Sequence, residues 1–185
     1  MPILKEEPSI FPDNLLESGI LESSGSRWWV VYTKARQEKA FSRELFAFQV
    51  PFYLPLVKKT TIAKGRKRFS FVPLFSGYVF LYATEAERIK SLTTNRISRI
   101  LTVNDPEQLI YDLEQLHRLI ASDAPLNVEQ LLAPGNRVRV KQGALMGLEG
   151  TVLVRRGVTR LLVSVNFLQQ GASVEVEDYL LERVD

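Results

Sequence analysis

The chain has 185 residues, 45% hydrophobic and 24% charged, with no cysteine and one histidine. This is the composition of a globular protein; the missing cysteines exclude disulfides, thiolate metal sites, cysteine nucleophiles and redox centres, and one histidine removes most zinc and general-base arrangements. The net charge of +3 is unevenly spread: residues 1–26 hold one lysine against five acids, residues 27–133 sixteen basic residues against ten acids, and residues 134–185 seven against six. The surplus in the middle favours an acidic partner, nucleic acid or an acidic protein surface. No apolar stretch reaches bilayer-spanning length and no secretory signal pattern opens the chain, which points to the cytoplasm and away from membranes.

Residues 1–26, with three prolines, five acids and the run Ser23-Ser24-Gly25-Ser26, read as a flexible acidic arm. Trp28 to Thr33 is aromatic or β-branched throughout and reads as a buried strand. Phe41, Leu45 and Phe48 share one face of a helix over 37–49, which Pro51 stops. Phe52 to Val57 is a strand interrupted at Pro55. Lys58, Lys59, Lys64, Arg66, Lys67 and Arg68 surround a Lys64-Gly65 turn and form a basic hairpin with no acid to balance it. Tyr78 to Ala83 is a third core strand. Thr84 and Glu87 make a capping box for a helix over 85–94, and Ile97 to Val103 returns to strand character. Asp105, Pro106 and Gln108 open a third helix along which Leu109, Leu113, Leu116 and Ile120 repeat at helical spacing.

Ser122 to Ala133 reads as a proline-punctuated linker. Short β runs separated by glycine follow at Arg137–Lys141, Glu149–Arg155, Arg160–Phe167 and Ala172–Arg183. The expected fold class is α+β: a helix-covered, mainly antiparallel sheet over 27–121, a linker over 122–133, and a small five-stranded barrel over 134–185.

Two stretches, in this order, carry a family resemblance. "RWWVVYTKARQEKAFSREL", "YLPLV" and "VPLFSGYVFL" resemble the amino-terminal (NGN) domain of the NusG family, and "PGNRVRVKQGALMGLEGTVL" resembles its KOW motif. The first stretch and the hairpin look closest to specialised antitermination paralogues of the RfaH and UpxY kind, with one departure, Ser76 where the family usually has proline. The resemblance implies a transcription elongation or antitermination factor with no catalytic residues, cofactor or metal. It would act as a monomer on RNA polymerase, suppressing pausing or termination at particular operons.

The resemblance further implies that Tyr32, Phe75, Tyr78 and Phe80 match the positions that meet the clamp helices of the largest polymerase subunit. Alternation along Tyr78–Tyr82 sends about half of such a set inward, leaving Tyr78 and Phe75 as the expected surface anchors. The hairpin residues Lys64, Arg66, Lys67 and Arg68, with Arg96 and Arg99, are expected along upstream DNA or the displaced non-template strand. Lys34, Arg36, Gln37 and Lys39 form a patch in which Arg36 and Gln37 suit paired hydrogen bonds to base edges. Gln142, Leu145, Met146 and Phe167 are the candidates for a second partner, in the family termination factor Rho or a ribosomal small-subunit protein. An RNA- or ribosome-binding KOW protein acting without polymerase stands as the alternative. The dense valine and two-residue alternation of Val138 and Val140 or Val174 and Val176 favour strands over a helical second state of this region.

Overall fold

The computed structural model describes residues 7–17, 25–130 and 135–184. By internal packing the chain divides between Pro106 and Glu107 into two units.

In the first unit the strands are β1 (Ile10–Phe11), β2 (Arg27–Thr33), β3 (Phe52–Tyr53), β4 (Leu56–Ala63), β5 (Arg66–Pro73), β6 (Tyr78–Ala83) and β7 (Ile97–Thr102), with helices α1 (Glu38–Ala47) and α2 (Glu85–Leu92) between them. Five strands pair antiparallel in the order β1-β3-β6-β2-β7. One core cluster gathers Trp29, Val31, Val79, Leu81 and Ala83 of the sheet with Phe41 and Leu45 of α1. The residues in the alternate positions, Trp28, Val30, Phe80 and Tyr82, are buried as well. That is why these strands read as continuous apolar runs and not as an alternation. The capping box of α2 forms as the sequence predicts: the Thr84 hydroxyl accepts from the Glu87 N–H, and the Glu87 carboxylate accepts from the Thr84 N–H at 2.7 Å.

The acidic arm is corrected over residues 7–17. β1 pairs with β3, the Leu54 N–H donates to the Ser9 carbonyl at 2.6 Å, Leu15 and Leu16 are buried, and Phe11 meets Phe46 edge to face. The prolines and acids masked a short apolar set, Ile10, Phe11, Leu15 and Leu16, with enough area to pack. Residues 1–6 and 18–24 lie outside the described residues.

β4 and β5 form a separate two-stranded ribbon, longer than the short strands expected. Its turn is Lys64-Gly65 with φ of +50° and +71°, the pair of positive angles that a two-residue hairpin loop needs to match strand twist. Buried Leu54, Leu56 and Leu74 root the ribbon in the first unit.

The second unit holds α3 (Pro106–Ala121), all but its first residue, followed by β8 (Leu126–Glu129), β9 (Arg137–Val140), β10 (Glu149–Arg155), β11 (Val158–Val165), β12 (Gln170–Glu175) and β13 (Leu181–Arg183). The strands pair antiparallel in the order β13-β9-β10-β11-β12-β8. Two expectations change here. The sheet has six strands instead of five, because Leu126–Glu129, inside the expected linker, pairs with β12. The third helix groups with this sheet and not with the domain ending at residue 121. Its leucines Leu109, Leu113, Leu116 and Leu119 are buried, and its polar side chains reach sheet backbone. The Gln115 side-chain oxygen accepts from the Glu149 N–H at 3.0 Å, Asp112 accepts from the Asn166 N–H at 2.8 Å, and the Arg118 guanidinium donates to the carbonyls of Met146 and Gly147.

The Tyr111 hydroxyl donates to the Glu149 carboxylate, which also pairs with Arg139 and Arg137. The hydrogen bonds from Tyr111 and Arg139 hold the Glu149 carboxyl below its usual range against the opposing effect of burial. A depressed folded value stabilises above the unfolded pKa, about 4.3 for glutamate, and that contribution disappears as pH falls through the folded value. Urea unfolding between pH 3 and pH 6 is expected to show stability falling below about pH 4, with a smaller fall in the Tyr111→Phe protein.

Candidate polymerase and nucleic-acid interface

Tyr32 and Tyr78 are register partners where β2 ends and β6 begins. Both are half-buried, and their ring centroids lie 5.0 Å apart, tilted by 53°. A backbone junction beneath them sets their position. The Gly77 N–H donates to a carboxylate oxygen of Glu38 at 2.6 Å, and the Gly77 carbonyl accepts from the Thr33 N–H at 2.7 Å and the Thr33 hydroxyl at 3.3 Å. Glu38, the first residue of α1, is only 6% exposed. The Ser76-Gly77 turn is thus tied both to the start of a helix and to the end of a strand. Gly77 has φ of +87°, and a Cβ there would stand 2.7 Å from Tyr32 Cε2. Only glycine allows both that backbone angle and that ring position.

Phe75 and Phe80 are corrected. Phe75 is 1% and Phe80 0% exposed, and Phe80 stacks with Tyr53 at 6.4 Å. β6 has a paired strand on each side and apolar residues on both faces, so its interior positions are core whichever way they point. Of the four aromatic candidates, Tyr32 and Tyr78 alone have accessible surface beyond a trace.

One cation borders the tyrosine pair, and others lie on the connection that follows β2. Arg99, the register partner of Tyr32 on β7, places its guanidinium 5.9 Å from that ring. Lys34 is exposed and its ammonium donates to the Asn95 side chain at 2.8 Å. Arg36 is exposed at φ of +59°, and Lys39 is half-buried. Arg96 and Gln37 belong to a different class. The Arg96 Nε donates to Glu44 at 2.6 Å and its Nη1 to the Gln37 side-chain oxygen. The two side chains therefore lock β7 to α1, and the pairing of Arg36 with Gln37 as joint base readers loses its second member.

The ribbon carries Lys58, Lys59, Lys64, Arg66, Lys67 and Arg68, all exposed, and among the described residues none of the six forms an ion pair. The sequence reading missed its apolar residues. Ile62 is 72%, Phe69 58% and Phe71 44% exposed. The turn fixes the register, and the register sets Phe69 opposite Thr60 and Phe71 opposite Lys58; counting outward from Lys64-Gly65 would have shown both rings on one face.

In the second unit, Gln142, Leu145 and Met146 lie on the loop between β9 and β10, where Met146 is 62% exposed. The Gly147 N–H closes that loop on the Val140 carbonyl at 2.8 Å. Phe167 is half-buried in the turn after β11, on a different connection. No helix among the described residues is long and apolar enough to cross a membrane.

Residues 26–117 match the family model described as "Transcription termination factor nusG". The chain belongs to the NusG family. A solved structure from Thermotoga maritima, "Domain interaction in Thermotoga maritima NusG", is similar at 16% identity over 86% of this chain and 98% of that one, with a TM-score of 0.43. No curated protein matches the sequence significantly. NusG-family proteins are transcription elongation and termination factors without enzymatic activity that bind RNA polymerase. The match spans the Tyr32–Tyr78 pair, Lys34, Arg36, Arg96, Arg99 and the ribbon, while the Gln142–Met146 loop and Phe167 lie outside it.

Two substitutions test this junction. Gly77→Ala is expected to cost at least about 1 kcal/mol from the positive φ alone and to displace the Tyr32 ring, read as changed aromatic proton shifts. Glu38→Ala removes the acceptor of a buried N–H and is expected to cost about 1–3 kcal/mol, with faster hydrogen exchange at the Gly77 amide.

Proposed function

We propose that this chain is an elongation and antitermination factor, acting in the cytoplasm as a monomer, that holds the clamp helices of the largest RNA polymerase subunit through Tyr32 and Tyr78. The observation that carries the reading is the tyrosine pair itself: two amphipathic rings, half-buried, held over a glycine that cannot be replaced without moving them. Aromatic anchors on a rigid base offer large contact area at small entropic cost, which suits them to dominate an interface. Arg99 beside the pair, Arg36 and Lys34 in the connection after β2, and the cations of the ribbon would then face the upstream DNA or the non-template strand as salt-sensitive phosphate contacts. Binding favours the closed, elongating state of polymerase by differential affinity, and no chemistry is required of the factor.

The second unit supplies a separate docking site at the Gln142–Met146 loop, a KOW-type loop whose exposed methionine suits an adaptable protein contact such as Rho or a ribosomal protein. Ser76, exposed where the family usually has proline, and the unbalanced ribbon support a specialised, operon-restricted paralogue.

In vitro elongation by the cognate polymerase, with Rho present, on the factor's own operon leader and on an unrelated template tests the reading. Readthrough is expected to rise on the leader and to require about tenfold more of a Tyr32→Ala/Tyr78→Ala protein, since a central aromatic anchor contributes on the order of 1–2 kcal/mol. Equal stimulation of both templates would make it a general factor. Readthrough unchanged on either template, together with tight RNA binding in the absence of polymerase, would overturn the polymerase reading in favour of an RNA- or ribosome-binding protein.

A further inference from the structure

The β4–β5 ribbon has two chemically distinct faces. Directly opposed residues of an antiparallel pair project to the same side. One face therefore carries Lys58, Thr60 and Ile62 against Phe71, Phe69 and Lys67, and the other Lys59, Thr61 and Ala63 against Ser70, Arg68 and Arg66. The second face is a cationic strip. The first is aromatic and aliphatic, with a lysine near each end, and the Lys58 ammonium lies 4.6 Å from the centroid of the Phe69 ring.

Two exposed phenylalanines and an exposed isoleucine need a reason. If phosphate neutralisation were the ribbon's whole task, polar side chains would serve on both faces, and exposed rings on an isolated two-stranded sheet invite association. Two occupants suit an apolar face, a protein partner or the flat face of a base. The charge decides between them: six cations within eleven positions and no acid anywhere from residue 56 to residue 73. Such a surface is complementary to a polyanion. A polyanion that also presents flat apolar surfaces is a nucleic-acid strand with its bases unpaired, because in a duplex those faces are stacked on one another. Phe69 and Phe71, two residues apart on one strand, stand about 7 Å from each other along it, as successive platforms on one side of the ribbon.

We infer that the ribbon grips an unpaired nucleotide strand, with Phe69 and Phe71 stacking on bases, Lys58 and Lys67 meeting phosphates beside them, and Lys59, Arg66 and Arg68 neutralising the strand as it passes the other face. This rests on the nucleic-acid reading above and adds to it a selection for single strands over duplex by residues outside the basic set.

The test is fluorescence anisotropy of the full-length protein with a fluorescein-labelled oligo(dT) of about twelve nucleotides and a blunt duplex of the same length, over a range of salt. The single strand is expected to bind more tightly than the duplex. Phe69→Ala and Phe71→Ala are each expected to weaken it at least about fivefold with the salt slope unchanged. Lys59→Gln/Arg66→Gln/Arg68→Gln is expected to flatten the salt slope. Phe69→Leu keeps the apolar bulk without the ring and is expected to behave like Phe69→Ala. A Phe69→Trp protein gives a second readout, quenching of the new indole on binding. The phenylalanine variants binding like the parent while the triple variant loses affinity would overturn the stacking and leave the nucleic-acid reading intact. Duplex bound as tightly as single strand would overturn the strand selection. Failure of the parent protein to bind either oligonucleotide at low salt would remove both readings together.

Discussion

A single buried carboxylate organises the surface of the first unit. Glu38 opens α1, and its oxygen accepts from the Gly77 N–H at 2.6 Å, while the Gly77 carbonyl accepts from Thr33. One hydrogen-bonded junction therefore joins a helix start, a strand end and the turn that begins the next strand. A charged acceptor in such a setting contributes on the order of 1.5–3 kcal/mol, and the junction leaves Tyr32 and Tyr78 no independent freedom. The positions of Lys34 and Arg36, in the connection between Thr33 and Glu38, follow from the same constraint.

The arginines of this region divide by partner and not by proximity. Arg96 is held by Glu44 and Gln37 and binds two elements together, whereas Arg99 is exposed beside Tyr32 and Arg36 is exposed in the connection before α1. An alanine at position 96 would therefore disturb the junction between β7 and α1, and an alanine at position 99 would remove charge from an otherwise intact surface. Glu149 plays a comparable organising part in the second unit, drawing Tyr111 of α3 and Arg137 and Arg139 of β9 to one point. In both units an acidic side chain orders the basic ones around it, and the ribbon, with no acid at all, is the exception.

Strand and helix positions were legible wherever one local rule acted alone. The capping box at Thr84 and Glu87, the Lys64-Gly65 turn and the apolar run from Tyr78 to Ala83 all appear where periodicity and turn chemistry put them. Partner choice was not legible. The leucine repeat at Leu109, Leu113, Leu116 and Leu119 reports a helix with one buried face, yet nothing in the repeat names the surface that buries it. Leu126–Glu129 looked like linker because a four-residue edge strand carries too few apolar positions to stand out between Pro125 and Pro134. Phe75 illustrates the same limit in the candidate site: a ring next to a Ser-Gly turn reads as exposed, and only the tertiary packing shows it buried.

The allegiance of α3 also bears on how the protein is made. Asp112 accepts a hydrogen bond from the backbone of Asn166, 54 residues later in the chain, and Gln115 from Glu149, 34 residues later. At synthesis rates of about 5–20 residues per second, the helix waits several seconds on a ribosome before those backbone partners exist. In the first unit β2 waits at least as long, since Trp28 pairs with Tyr82 and Trp29 with Thr102. In both units, then, early elements stand without their partners for an interval set by the spacing of residues and not by any slow conformational step.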